Sequence, residues 1–115
     1  MPAYAIADLT VHDPALFSEY LARVPAIVER HHGRYLSRGG AVTPIFGTWQ
    51  PRRIVVIEFP GPEDLVRCFS CEEYREILPI RERAATGSMI MVEGESGPDA
   101  DQHPSSGKPN EPGRK

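Results

Sequence analysis

Residues 53 to 59 read RIVVIEF, an apolar, largely β-branched run that stops at Pro60-Gly61-Pro62. Such a run is a strand. Its apolar residues fall on both odd and even positions, so both faces need cover. Two further segments share this demand. Tyr4 to Val11 carries Ile6, Leu9 and Val11 among small alanines, and Ser88 to Glu93 contains MIMVE. A chain with three such strands has to build a sheet, and the helices have to be laid against it.

The helical segments are equally legible. Asp13-Pro14 is a start signal, because aspartate caps free N–H groups and proline at the first helical position gives up a donor that had no partner. Phe17, Tyr20, Leu21, Val24, Ile27 and Val28 follow at helical spacing, with Pro25 expected to kink the helix and Gly33 to stop it. Arg34 to Arg38 is a short strand, Gly39-Gly40 a hairpin-type turn, and Val42 to Phe46 a returning strand that Pro44 confines to an edge or arm. Pro60-Gly61-Pro62 seeds a helix through Val66 and Phe69. Ser70-x-x-Glu73 then reads as a capping box opening a further helical stretch, with Tyr74, Ile77, Leu78 and Arg81 on one face.

The order β–α–β(β)–β–α–β predicts an α+β, ferredoxin-like split βαβ layout, an antiparallel sheet with two helices on one face. The helix-free face is left apolar, and a second copy of the chain is the expected cover. The folding unit is expected to be residues 1 to 94. Residues 95 to 115, ESGPDADQHPSSGKPNEPGRK, hold four prolines and a single apolar residue, Ala100, and read as a disordered tail. The ten cationic side chains of residues 1 to 94 are all arginine, so any anion site in that unit is built from planar guanidinium groups.

Net charge −3 without a basic run argues against nucleic acid as a partner. No stretch approaches a membrane span, and the N-terminus lacks the pattern of a signal peptide. Two cysteines do not staple a secreted scaffold, so the cytoplasm is the expected compartment. The Cys68-x-x-Cys71 pair falls at a helix–helix junction rather than after a strand, which points to structural thiols.

Four blocks in order, YAIADLTVHDPALFSEY, GRYLSRGG, RRIVVIEFPGPEDLVRCF and SCEEYREILPIRERAATGSMIMVEG, resemble the family known as domain of unknown function 1330 over residues 3 to 94. That family is similar to the dimeric α/β-barrel superfamily. The resemblance implies two sheets pairing into a barrel around small-molecule pockets. It leaves the reaction open among cofactor-independent monooxygenases, isomerases, haem enzymes and ligand-binding regulatory domains.

Candidate site residues follow from placement. Glu58 projects from the face of Ile54 and Val56 and is a candidate general acid or base; its alternative is an ion pair with a neighbouring arginine. Arg38, at matching parity with Arg34 around Leu36, is a candidate oxyanion clamp or the partner of Glu58. His12 stands where the first strand meets the helix cap and is a third catalytic candidate, or a surface residue. Asp8, Tyr74, Arg81 and Trp49 are candidate substrate contacts, with a solvated strand residue, a helix-anchoring salt bridge and a dimer contact as alternatives for Asp8, Arg81 and Trp49 respectively. No metal site, phosphate loop or nucleophile elbow is present in the motifs, and no cofactor is expected. The functional expectation is a homodimeric, cofactor-independent enzyme acting on a small organic acid, enol or aromatic metabolite. The rival is a non-catalytic ligand-binding or sensing module.

Overall fold

Alternate residues of one strand organise the core. Ala3, Ala5, Ala7 and Leu9 are buried together with Phe17, Tyr20, Val24, Ile27 and Val28 of the first helix and Leu65, Cys68, Tyr74 and Ile77 of the later ones. The computed structural model describes residues 1–95 and orders them as β1 (Ala3–Val11), α1 (Pro14–Arg30), β2 (Arg34–Arg38), β3 (Arg53–Phe59), α2 (Pro62–Ser70), α3 (Glu72–Ala84) and β4 (Ala85–Glu93). The strands form one sheet in the order β2-β3-β1-β4, and every pair is antiparallel. This is the split βαβ fold, with the helices packed on one face. The tail expected from residue 95 onward lies, apart from Glu95, outside the described residues.

Local chemistry explains the element ends. The Asp13 carboxylate accepts from the Leu16 N–H at 3.1 Å and Pro14 opens α1, which continues past Pro25 to Arg30. The left-handed residue after α1 is His32 (φ 68°), whereas Gly33 is needed for space: a Cβ there would meet the Phe59 ring at 2.7 Å. Gly87 is more constrained still. Its φ is 150° and a Cβ would lie 2.0 Å from the Asp8 carbonyl oxygen, so only glycine lets β4 lie against β1 at this point.

Three sequence expectations are corrected. Val42 to Phe46 forms no strand: the Gly39 N–H still donates to the Ile54 carbonyl at 3.1 Å, and the chain then leaves the sheet as a long loop in which Ile45 and Phe46 are 86% and 91% exposed. Pro44 cannot donate to a ladder, and no strand among the described residues lies beside the segment. Ser70 does not cap α3. It ends α2, giving its hydroxyl to the Val66 carbonyl, and Cys71 takes the capping position by accepting from the Tyr74 N–H at 3.4 Å. Finally, β4 begins at Ala85 rather than Ser88, because it pairs with β1 as far as Val11.

Candidate functional site

Which side chains meet depends on one irregularity in β2. Arg34 lies opposite Glu58 and Tyr35 opposite Ile57, but Ser37 is opposite Val56 and Arg38 opposite Val55. Leu36 is thus the extra residue of a β-bulge, and after it the parity of β2 is inverted. Arg34 stays on the helix-free face with Glu58. Arg38 turns to the helix-covered face, where its guanidinium sits 4.1 Å from the centre of the Tyr35 ring. The expected matching parity of Arg34 and Arg38 is therefore corrected, and so is the expected pairing of Arg38 with Glu58.

Between the sheet and the helices lies a cavity of about 240 Å³. Small residues of β1 (Ala7) and large ones of the helices (Phe17, Tyr20, Leu21, Tyr74, Leu78) give it apolar walls. Arg38 and Arg53 reach it from the sheet and Arg81 from α3. Among the described residues no aspartate, glutamate or histidine lines it. The Tyr20 and Tyr74 hydroxyls meet at 3.0 Å inside it. Burial, reinforced by Tyr74, pushes the Tyr20 phenol up from its ordinary value, and burial does the same to Tyr35 against the opposing charges of Arg38 and Arg53. Both phenols are therefore protonated donors at neutral pH.

The helix-free face holds a different set. Glu58 Oε1 accepts from Arg34 Nε at 2.7 Å, and its other oxygen accepts from the Tyr4 hydroxyl at 3.3 Å. Trp49 reaches across from the long loop and donates its indole N–H to Asp8 at 3.2 Å. His12 Nε2 is 2.9 Å from the Thr86 hydroxyl at the start of β4. Tyr4, Ile6, Ile54, Val56, Ile90 and Val92 supply the apolar part of this surface, and Ile90 and Val92 are exposed.

The expected site residues consequently divide. Arg38, Tyr74 and Arg81 come together around the cavity. Glu58, His12, Asp8 and Trp49 lie elsewhere, the first two held by partners of their own and Asp8 and Trp49 by each other. Sequence reasoning missed Arg53, Tyr20 and Tyr35. A signal for Arg53 was present: it shares parity with Val55 and Ile57, the inward residues of β3. Among the described residues no cluster of three His, Cys, Asp or Glu is placed to hold a metal, and no helix is long and apolar enough to cross a membrane. Burial raises the Cys68 thiol to about 12, and the Cys71 thiol donates to the Cys68 carbonyl, so this pair is built into a helix junction.

The sequence profile of domain of unknown function 1330 (DUF1330) matches residues 2–95. The chain belongs to the DUF1330 family. No curated protein matches the sequence. Among solved structures, the RPA0582 protein of unknown function from Rhodopseudomonas palustris is similar with a TM-score of 0.67 at 14% identity, covering 84% of each chain. SnoaB, a cofactor-independent oxygenase from Streptomyces nogalater, is similar with a TM-score of 0.58 at 16% identity, covering 84% of this chain and 95% of its own. Rv0793 from Mycobacterium tuberculosis follows with a TM-score of 0.50 at 13% identity, covering 84% of this chain and 98% of its own. At such identities the likeness concerns the fold, which is the subunit fold of the dimeric α/β-barrel superfamily.

Proposed function

We propose that this DUF1330 protein binds a small organic acid, enol or aromatic metabolite in the cavity beneath its helices and acts on it without a resident cofactor. The observation that carries this reading is the chemistry of the cavity lining: apolar walls, a buried pair of hydrogen-bonded phenols and three arginines. Cations held in a partly dry site stabilise the oxyanion of an enol or phenol as it forms. Arg38 and Arg53 would take that role, with Tyr74 and Arg81 orienting the substrate. The SnoaB likeness supports the reading, since that protein is a cofactor-independent oxygenase on the same fold. Glu58 and His12 would then act in the fold or its assembly rather than on the substrate.

The apolar helix-free face takes a second copy of the chain in this proposal, with the exposed loop that carries Ile45 and Phe46 reaching along it. A binding or sensing module is the second reading. It is favoured by the cavity wall, on which the described residues place no carboxylate or imidazole to move a proton.

A thermal-shift screen of organic acids, enols and phenols tests the proposal, followed by mass spectrometry of each stabilising compound after incubation. A ligand at about 100 Kd adds roughly 2.7 kcal/mol of stability. Compounds that stabilise the protein and change in mass support the enzyme. Compounds that bind and are recovered unaltered support the sensing module.

A further inference from the structure

We infer that the cavity selects a carboxylate carried on a small ring or aliphatic body, with Arg53 as its principal anchor and Arg38 completing the clamp. The inference rests on reading the cavity as the small-molecule site, and it names the ligand class for that site.

Charge accounting comes first. Among the described residues Arg23, Arg30, Arg34 and Arg67 each have a carboxylate partner. The three arginines on the cavity have none, and no acid lines its wall. Arg53 and Arg81 are half-buried and cost desolvation, while Arg38 is exposed and adds its like charge. A protein relieves that cost with an anion. Here the described residues supply none at the cavity.

Geometry then points to Arg53. Its Nε is buried without a hydrogen-bond partner among the described residues. A buried N–H left in this state costs about 1–3 kcal/mol, and a ligand oxygen would recover it. The guanidinium rests 5.5 Å from the centre of the Phe17 ring, and its Nη lies against Gly39, the residue after Arg38. Arg38 is opposite Val55, two residues from Arg53 on the same face, so the two heads approach from diagonal positions of adjacent strands. Both charges act on the Tyr35 phenol between them.

A planar fork offers paired, parallel donors, which a carboxylate accepts bidentately. The walls that receive the remainder of the ligand are Phe17, Leu21, Phe69, Tyr74 and Leu78. The volume, about 240 Å³, falls below the roughly 300–1,000 Å³ of pockets for drug-sized ligands, so the body is a single ring or a short chain. Bare phosphate would leave those walls unfilled.

Isothermal titration of the full 115-residue chain with benzoate, phenylacetate and cyclohexanecarboxylate, each against its neutral amide and against inorganic phosphate, tests the inference. The expected result is that at least one acid binds about 10- to 100-fold tighter than its amide, with phosphate weaker than that acid. Arg53→Met should erase this preference by weakening the acid far more than the amide, while Arg53→Lys should keep part of it. Should Arg53→Met not fold, Arg38→Met and Arg53→Lys carry the same comparison. Equal binding of acid and amide overturns the anion clamp and leaves the cavity as a neutral site. Phosphate binding as tightly as the acids overturns the carboxylate class. Failure of every acid and every amide to bind overturns the cavity reading itself, and the clamp with it.

Discussion

The two faces of the sheet are made from alternate residues of the same strands, and they dispose of charge in opposite ways. On the helix-free face the acids of the sheet are matched: Glu58 with Arg34 and Tyr4, Asp8 with Trp49. On the helix-covered face β1 presents alanines, the helices present tyrosines and phenylalanine, and the cavity arginines have no carboxylate partner among the described residues. Charges that neutralise each other along an open surface hold strands in place at little net cost or gain. Cations left unmatched beside an apolar cavity have no such structural benefit, which is the reason for placing the ligand there. The comparison teaches that the position of a carboxylate in the clearest strand of a sequence says less about chemistry than the position of an unmatched cation.

The largest expected effect bears on the helix-free face as an interface. Ile90→Arg places a charge in the middle of that face, opposite Ile6. If the face takes a second copy, sedimentation of the parent chain at micromolar concentration gives the mass of two chains, and the variant gives one chain with a melting temperature lower by many degrees. A parent chain that sediments as a monomer would remove the assembly role from this face and leave its apolar residues without a purpose.

An intermediate effect belongs to the covered face. Cys68, Tyr20 and Tyr35 all have their pKa raised by burial, which disfavours loss of the proton. A raised value in the folded state means that the folded chain binds more protons than the unfolded one at alkaline pH. Stability is then complete below the unfolded values and falls as pH rises past them. The Cys68 contribution should fade from about pH 9 towards about pH 12, and those of the tyrosines from about pH 10 upward. Denaturant midpoints measured from pH 7 to pH 11 should be flat at first and then decline. A decline that persists unchanged in Tyr20→Phe and Cys68→Ala would place its origin elsewhere.

The smallest effect separates the faces most sharply. Glu58→Gln should cost about 1 kcal/mol or less, because Arg34 is 74% exposed and the pair is screened by water. Ligand affinity in the cavity should stay unchanged. Loss of turnover with intact stability in this variant would return the proton-moving role to Glu58 and make the helix-free face the active one.

Most of the fold was legible from the sequence, because each element carries its own period and its own stops. RIVVIEF, the Asp13-Pro14 cap and the stripe of α1 are local signals, and the structure repeats them. The site was legible only in part. Tyr74 and Arg81 lie on a regular helix, where spacing fixes direction, and both reach the cavity. On β2 spacing misleads, since the bulge at Leu36 has no signature in RYLSR and reverses the side on which Arg38 emerges. Parity along β3 identified Glu58, Ile54 and Val56 as one set, yet parity alone does not say which set the helices will cover. The alanines of β1 settle that question, because close helix packing needs small residues beneath it.

The bulge also sets how this strand tolerates changes in length. Removing a residue from a regular strand turns every later side chain to the opposite side. Here removal of Leu36 would leave Tyr35 opposite Ile57, Ser37 opposite Val56 and Arg38 opposite Val55, the rungs already in place. A shorter relative therefore keeps its arginine inward, whereas one of equal length with a straight β2 turns it outward. When DUF1330 sequences are aligned, a one-residue gap at this position preserves the anion clamp, and an ungapped column can conceal its loss.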